Sequence, residues 1–341
     1  MKDEYKKKVI VWLLTGAVLV MAMVVIGGIT RLTHSGLSMV NWKPLTGIIP
    51  PLNEEAWANE FDNYKNFPEY KKINYAFTLE DFKSIYWWEF IHRVLGRIIG
   101  LVFIVPFIIF LWKKAFDKKW IIRLVILFGL GGLQGFLGWF MVKSGLVENP
   151  AVSHFRLAIH LIAAFAIIAY ITWLIFDVRG IKRAIHDVSI KNTSFLMMFL
   201  IVVQIVYGAF VAGLKAGLIL NTYPLMGNVL ISDIAFSAWA DTGLSSLVNE
   251  QVTVQFIHRW LPFLILLPLY LLWKKAQYSD LRKPIQLTAI LWLAQSFLGV
   301  ITLLLRVPVS LGVLHQFGAI FLFLGALYIY YCASGKKTGE I

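Results

Sequence analysis

Glu89-Phe90-Ile91-His92-Arg93 opens an apolar run that ends in Leu-Trp-Lys-Lys-Ala at residues 111–115. Gln255-Phe256-Ile257-His258-Arg259 opens a second run, which ends in the same five residues at 272–276. Each run is long enough to cross about 30 Å of hydrocarbon as one helix. A histidine inside such a helix is costly and needs a chemical reason. Its recurrence 166 residues later makes the chain a duplication.

Around this pair the composition agrees. Of 341 residues, 59% are apolar and only 15% charged, with a mean hydropathy of +0.72. A polytopic helical membrane protein has that balance; a soluble domain does not. The apolar runs are continuous, which excludes an outer-membrane barrel with its alternating strands. The net charge of +13 comes from basic residues flanking spans and does not point to nucleic acid. Cys332 is the only cysteine, so neither an intrachain disulfide nor a thiolate cluster is available.

Eight runs are expected to span, near 9–30, 87–112, 120–141, 151–176, 195–216, 251–273, 285–306 and 309–332. The first is too long for a signal-peptide core and reads as a retained span. Lys2, Lys6, Lys7 and Lys8 precede it, and every second connection is equally rich in Lys and Arg, down to Lys336 and Lys337. The positive-inside rule then puts both termini in the cytoplasm, and the lack of an Arg/Ser-rich amphipathic stretch before the first span favours a bacterial inner membrane over an imported organellar protein. Trp87, Trp88 and Trp139 suit the outer interfacial belt, and Trp112, Trp120 and Trp273 the inner one. The spacings Gly96-x-x-x-Gly100 and Gly131-x-x-x-Gly135 suit close helix packing. Two long connections, 31–86 and 217–250, fall outside; each is either a cap over a site or a solvated linker.

Further landmarks repeat in order. Gln134-Gly-Phe-Leu-Gly138 matches Gln295-Ser-Phe-Leu-Gly299, Asn41-x-x-Pro44-Leu45-x-Gly47 matches Asn221-x-x-Pro224-Leu225-x-Gly227, and His160 matches His315. The expected fold is all-α, eight transmembrane helices in two tandem four-helix bundles. Four spans per repeat is an even number, so the halves, 1–192 and 193–341, share one topology about a pseudo-two-fold along the membrane normal.

Of seven histidines, His34 and His186 fall in connections and His154 at the mouth of the fourth span. His92, His160, His258 and His315 lie in even-numbered spans, two per repeat, at similar depth in the outer half of the bilayer. Neutral imidazoles on facing helices are axial ligands for haem iron. A simple metal ion would need a carboxylate or thiolate cluster to complete its shell. Arg93 and Arg259 either pair with haem propionates or snorkel to the interface.

The repeats differ where it matters: Glu89 stands three residues before His92, and Gln255 three before His258. Only the carboxyl can exchange a proton. The first half is therefore expected to do proton-coupled chemistry and the second to hold a haem for structure or electron transfer. An ion pair of Glu89 with a neighbouring arginine is the competing reading.

The chain resembles the haem A synthases. The resemblance rests on Gly27-Gly28-Ile-Thr-Arg31-Leu-Thr-x-Ser35-Gly36-Leu37-Ser38, Trp42-Lys-Pro44-x-x-Gly47-x-x-Pro50-Pro51, Glu89-Phe-x-His92-Arg93, Phe-x-His258-Arg259 and the Gln134 and Gln295 helices. It implies a membrane oxidoreductase that oxidises a ring methyl of haem O to the formyl of haem A, for cytochrome oxidase. It implies that His258 and His315 ligate a resident haem b, that His92 and His160 serve the substrate haem, and that Glu89 is catalytic. The chain lacks an outer-loop cysteine pair and is similar to the subgroup without one. The rival expectation is a di-haem b electron-transfer cytochrome without haem-modifying chemistry. Handover from a haem O synthase would suit a poorly soluble substrate; an electron-transfer partner and a homo-oligomer stay open.

Overall fold

The computed structural model describes residues 1–40, 47–145, 152–183, 187–276 and 279–335; for 144 and 145 only the backbone is described. Asn41, Trp42, Pro44, His186, Lys336 and Lys337 lie outside the described residues. The helices are α1 (Lys6–Leu32), α2 (Glu54–Lys65), α3 (Pro68–Lys72), α4 (Leu79–Trp112), α5 (Lys118–Gly145), α6 (His154–Arg179), α7 (Val188–Gly213), α8 (Asp233–Thr242), α9 (Ser246–Asn249), α10 (Gln251–Lys275), α11 (Arg282–Leu304) and α12 (Val309–Ala333). Among the described residues there is no strand, only an isolated bridge between Met226 and Val229. Eight of the helices are long and apolar enough to cross a membrane. The chain is thus an all-α, multi-pass membrane protein.

Helix starts follow local capping chemistry rather than hydropathy. Thr78 and Asp81 form a capping box, with Asp81 Oδ2 accepting from the Thr78 backbone N–H at 2.9 Å, so α4 begins eight residues before the apolar run. Asp187 caps the amides of Ser189 (2.7 Å) and Ile190 (3.3 Å), starting α7 seven residues early. Where the cap coincides with the run, as at Glu250 before α10, the expected and observed starts agree. Prolines interrupt two long helices. Pro106 in α4 has no N–H for the carbonyl of Val102, and the indole of Trp12 on α1 donates to that oxygen at 2.8 Å.

The chain forms two compact units, Met1–Arg156 and Leu157–Ile341. This is a division of contacts; the boundary near 192 divides repeated landmarks. In the first unit α1 packs on α4 and α4 on α5. The connection between α1 and α4 is not a solvated linker. Its helices α2 and α3 set Trp57, Phe61 and Tyr64 against Phe82, Tyr86 and Phe90 of α4, with ring centroids at 5.2 Å for Phe61–Phe82 and 5.0 Å for Trp57–Tyr86. Inside this aromatic cap the fully buried Tyr64 donates to Glu69 Oε2 (3.1 Å) and accepts from Asn74 Nδ2 (2.8 Å). Burial pushes the Glu69 carboxyl up to about 7; the Tyr64 hydroxyl opposes this and the charge of Glu89 adds to it. Gly131 and Gly135 of α5 meet no neighbour within 4 Å among the described residues, so their spacing marks no helix contact there.

In the second unit α7 packs on α10 and α12, and α11 on α10 and α12, closing a four-helix bundle. Helix α6 joins it through Phe165 on Phe323 (5.7 Å) and Trp173 on Tyr331 (4.9 Å). The repeat persists in local detail. The turn after α1 places His34 at φ 55°, and the turn after α7 places Lys215 at φ 57°.

Candidate functional site

In the second unit His258 on α10 and His315 on α12 approach each other, ring centroids 6.4 Å apart and ring planes at 87°. Each ring is held by a Gln-x-x-x-Gly pair on the adjacent helix, the two residues one turn apart on one face. On α7, Gln204 Nε2 lies 3.0 Å from His258 Nδ1 and donates to the His258 carbonyl at 2.9 Å. That carbonyl needs an outside donor because Pro262, four residues on, has no N–H. Gly208 makes room for the ring: a Cβ there would stand 3.1 Å from His258 Cε1. On α11, Gln295 Nε2 lies 3.2 Å from His315 Nδ1 and 2.7 Å from the His315 carbonyl, and a Cβ at Gly299 would meet His315 Cε1 at 2.8 Å.

The donor set fits a porphyrin iron. Two metal–imidazole bonds of about 2.0 Å, each with a further ~1.1 Å from nitrogen to ring centre, separate two axial rings by about 6.2 Å. The observed 6.4 Å agrees. Among the described residues no group of three or more His, Cys, Asp or Glu could hold a bare ion. A haem brings four equatorial nitrogens of its own and asks the protein for two.

In the first unit Glu89 and Arg93 form a buried ion pair one turn apart on α4, Nε to Oε1 2.7 Å, with side chains 5% and 7% exposed. Arg93 also donates to the Met39 carbonyl at 2.9 Å. Both sequence readings of Glu89 thus meet at one place: it is paired, and it lies one turn from His92. The His92 ring rests on α1, where a Cβ at Gly27 would stand 3.3 Å from Nε2.

The second unit repeats this pair in neutral form. Gln255 Oε1 accepts from Arg259 at 3.3 Å, while its amide nitrogen donates to the carbonyls of Ala216 (2.9 Å) and Leu220 (3.3 Å). Arg259 donates to the carbonyls of Leu220 (3.2 Å), Pro224 (3.4 Å) and Leu225 (3.0 Å), tying down the outer connection, and its Nε is buried without a hydrogen bond. Neither arginine snorkels. A carboxylate cannot donate, and at the position matching Ala216 the carbonyl of Ser35 takes the Ser38 hydroxyl instead, at 2.7 Å.

His160 lies on α6 in the second unit, His154 is the first residue of α6 with its ring 4.1 Å from Phe155, and His34 sits in the turn after α1. The residues missed in the sequence are Gln204 and Gly208, and with them the seating role of a Gln-x-x-x-Gly pair. Gln295 stood out only as a repeat landmark, and Gln204 has no repeat partner to draw attention to it.

The bundle and its facing histidines define a polytopic helical membrane protein with a bis-histidine site of haem geometry. The family model described as cytochrome oxidase assembly protein (COX15-CtaA) matches residues 10–327, and the chain belongs to that family. Similar proteins include one named heme A synthase from Flavobacterium johnsoniae, 45% identical over 96% of this chain and 98% of its own length. Another from Flavobacterium psychrophilum is 46% identical over 91% and 93%, and one from Nitrosospira multiformis 42% over 96% and 94%.

Proposed function

We propose that this chain is a haem A synthase, an oxidoreductase that converts the ring methyl of haem O to a formyl group in successive hydroxylations. The observation that carries the reading is the 6.4 Å pairing of His258 with His315, in a chain that matches proteins of that name over nearly its full length. His258 and His315 would hold a resident haem b, which would supply electron transfer. His92, with His160 assigned by resemblance, serves the substrate haem. Arg93 and Arg259 are the proposed partners of haem propionates, and the buried Nε of Arg259, which makes no hydrogen bond, is a donor to spare.

Glu89 is the proton-handling group. Oxidising a methyl to a formyl is a four-electron change that sheds protons, and a carboxylate one turn from His92 can accept one, which Gln255 cannot. Arg93 fixes which oxygen faces it: Oε1 is held by Nε at 2.7 Å. The aromatic cap over the start of α4 shields this region from water.

The basic connections support cytoplasmic termini, and the bacterial relatives support a bacterial inner membrane. A haem O synthase as donor, an electron-transfer partner and self-association fit the same reading. The test is conversion by the purified, lipid-reconstituted protein. Given haem O and an electron acceptor, it should yield extractable haem A beside haem b. Haem b alone, with haem O unchanged, would favour the di-haem cytochrome and refute the synthase.

A further inference from the structure

Among the described residues only two carboxyl groups are buried, and both lie in the first unit: Glu89 on α4 at 4% exposure and Glu69 on α3 at 6%. We propose that Glu69 is a proton relay for Glu89, taking each proton that Glu89 receives from the reaction and releasing it at the outer face. This rests on the functional reading above, in which Glu89 handles protons. Glu69 acts only through Glu89 and touches no reacting atom. Protons shed in successive oxidations must leave Glu89 before it can accept the next, and the cap that excludes water also closes the direct way out.

The cap and the ion pair are continuous. Met39, whose carbonyl takes Arg93, packs in the same buried cluster as Tyr64, Phe82 and Tyr86. Phe82, Ile85 and Glu89, spaced three and four residues apart, share one buried face of α4, and the Tyr64 ring lies on Phe82 at 5.1 Å. Asn74 donates to the Tyr64 oxygen at 2.8 Å, which turns the phenol hydrogen onto Glu69 Oε2 at 3.1 Å. With Oε2 held, Oε1 is the oxygen that takes the proton. The groups acting on Glu69 are Tyr64 from α2 and Glu89 from α4, and no cation is among them. An amide would accept from Tyr64 equally well and bury no charge, so the hydrogen bond alone gives no reason for an acid here. A carboxyl with a pKa of about 7 can be loaded from within and emptied into a neutral outer phase. The two carboxylates repel, so the pair favours holding one proton between them. In the step itself a protonated Glu89 and an ionised Glu69 become an ionised Glu89 and a protonated Glu69; one O–H bond breaks, one forms and no electron moves.

The test uses the full-length, lipid-reconstituted protein given haem O and an electron acceptor. Three quantities are read: initial rates of haem A formation across the range around pH 7, haem b per chain, and the titration of the Glu69 carboxyl, taken as the infrared difference between wild type and Glu69→Gln. Wild-type rates should rise with pH about a midpoint of about 7, because only the ionised carboxyl accepts a proton. Glu69→Gln should keep haem b, flatten that rise and slow turnover about 100-fold above the midpoint. Glu69→Asp, which keeps an acid, should recover most of the rate. Tyr64→Phe should move the midpoint upward, since the Tyr64 hydroxyl holds Glu69 down. In Glu89→Gln the Glu69 carboxyl should titrate at lower pH, because the charge that raises it is gone; this readout needs no turnover. A wild-type rate and pH profile in Glu69→Gln, loss of haem b along with activity in that variant, no recovery in Glu69→Asp, no upward shift in Tyr64→Phe, or an unmoved titration in Glu89→Gln would each overturn the relay. Wild-type protein that makes no haem A at any pH would instead overturn the functional reading, with the infrared titration still deciding whether the two acids are coupled.

Discussion

Glu89→Gln converts the pair Glu89–Arg93 into the pair that already exists as Gln255–Arg259. In the wild type both partners are under a tenth exposed and joined at 2.7 Å. Deleting one member of a buried pair outright costs about 3–5 kcal/mol. The amide keeps an acceptor for Arg93, as Gln255 Oε1 does for Arg259 at 3.3 Å, and Arg93 keeps the Met39 carbonyl. The expected loss is the difference between a charge-assisted and a neutral hydrogen bond plus that of an amide donor whose matching acceptor, the Ser35 carbonyl, is taken by Ser38, together about 2–4 kcal/mol. Turnover should fall much further, about 10²–10⁴-fold, the range for removing a general acid or base. Chromatography of extracted haems gives initial rates of product formation, and the haemochrome spectrum gives haem b per chain. Wild-type product rates in Glu89→Gln would remove the carboxylate from the chemistry. Loss of haem b along with turnover would make it structural, and either result refutes the reasoning.

Gly299→Ala should displace the His315 ring, because its Cβ would stand 2.8 Å from Cε1; haem b content should drop, while Gly100→Ala, which meets nothing within 4 Å, should leave it intact. Glu69 has its folded pKa raised from 4.5 to about 7, so it binds a proton in the folded cap that the unfolded segment would release. That contribution, about 3 kcal/mol, is complete below about pH 4.5, shrinks as the pH rises and is gone above about 7. Protease nicking of residues 54–72 should accelerate from pH 5 to pH 8 in the wild type and stay flat in Glu69→Gln. Trp12→Phe leaves the Val102 carbonyl without its indole donor and should cost about 1–3 kcal/mol, read as a lower unfolding temperature in detergent.

The spans were legible because hydrocarbon demands unbroken apolar runs, and α10 and α12 fall within two residues of their expected bounds. The early starts of α4 and α7 were not, because caps lie outside the apolar run they initiate. His258 and His315 could be read as a pair from duplication alone. Their Gln204 and Gly208 seat could not: an amide and a glycine in a membrane helix gain meaning only when a particular neighbour fills the gap. The cap was ambiguous for the opposite reason. Trp57, Phe61 and Tyr64 are scattered among charges, and only the fold shows them sharing one face. For Glu89, the arginine one turn on was visible, but chain position alone does not tell whether two side chains bend together.

The exchange of acid for amide between the halves involves more than one position. Gln255 hands its two amide protons to Ala216 and Leu220, whereas Ser38 serves Ser35 on the acidic side. Turning one half into the other by a single codon change would leave a donor without a home or an oxygen crowded by two. Acid goes with Ser38 on one side, and amide goes with Ile219, which has no hydroxyl, on the other. Sequence drift at either locus is constrained by the state of its companion, and hybrids carrying mismatched sets are the ones selection should remove.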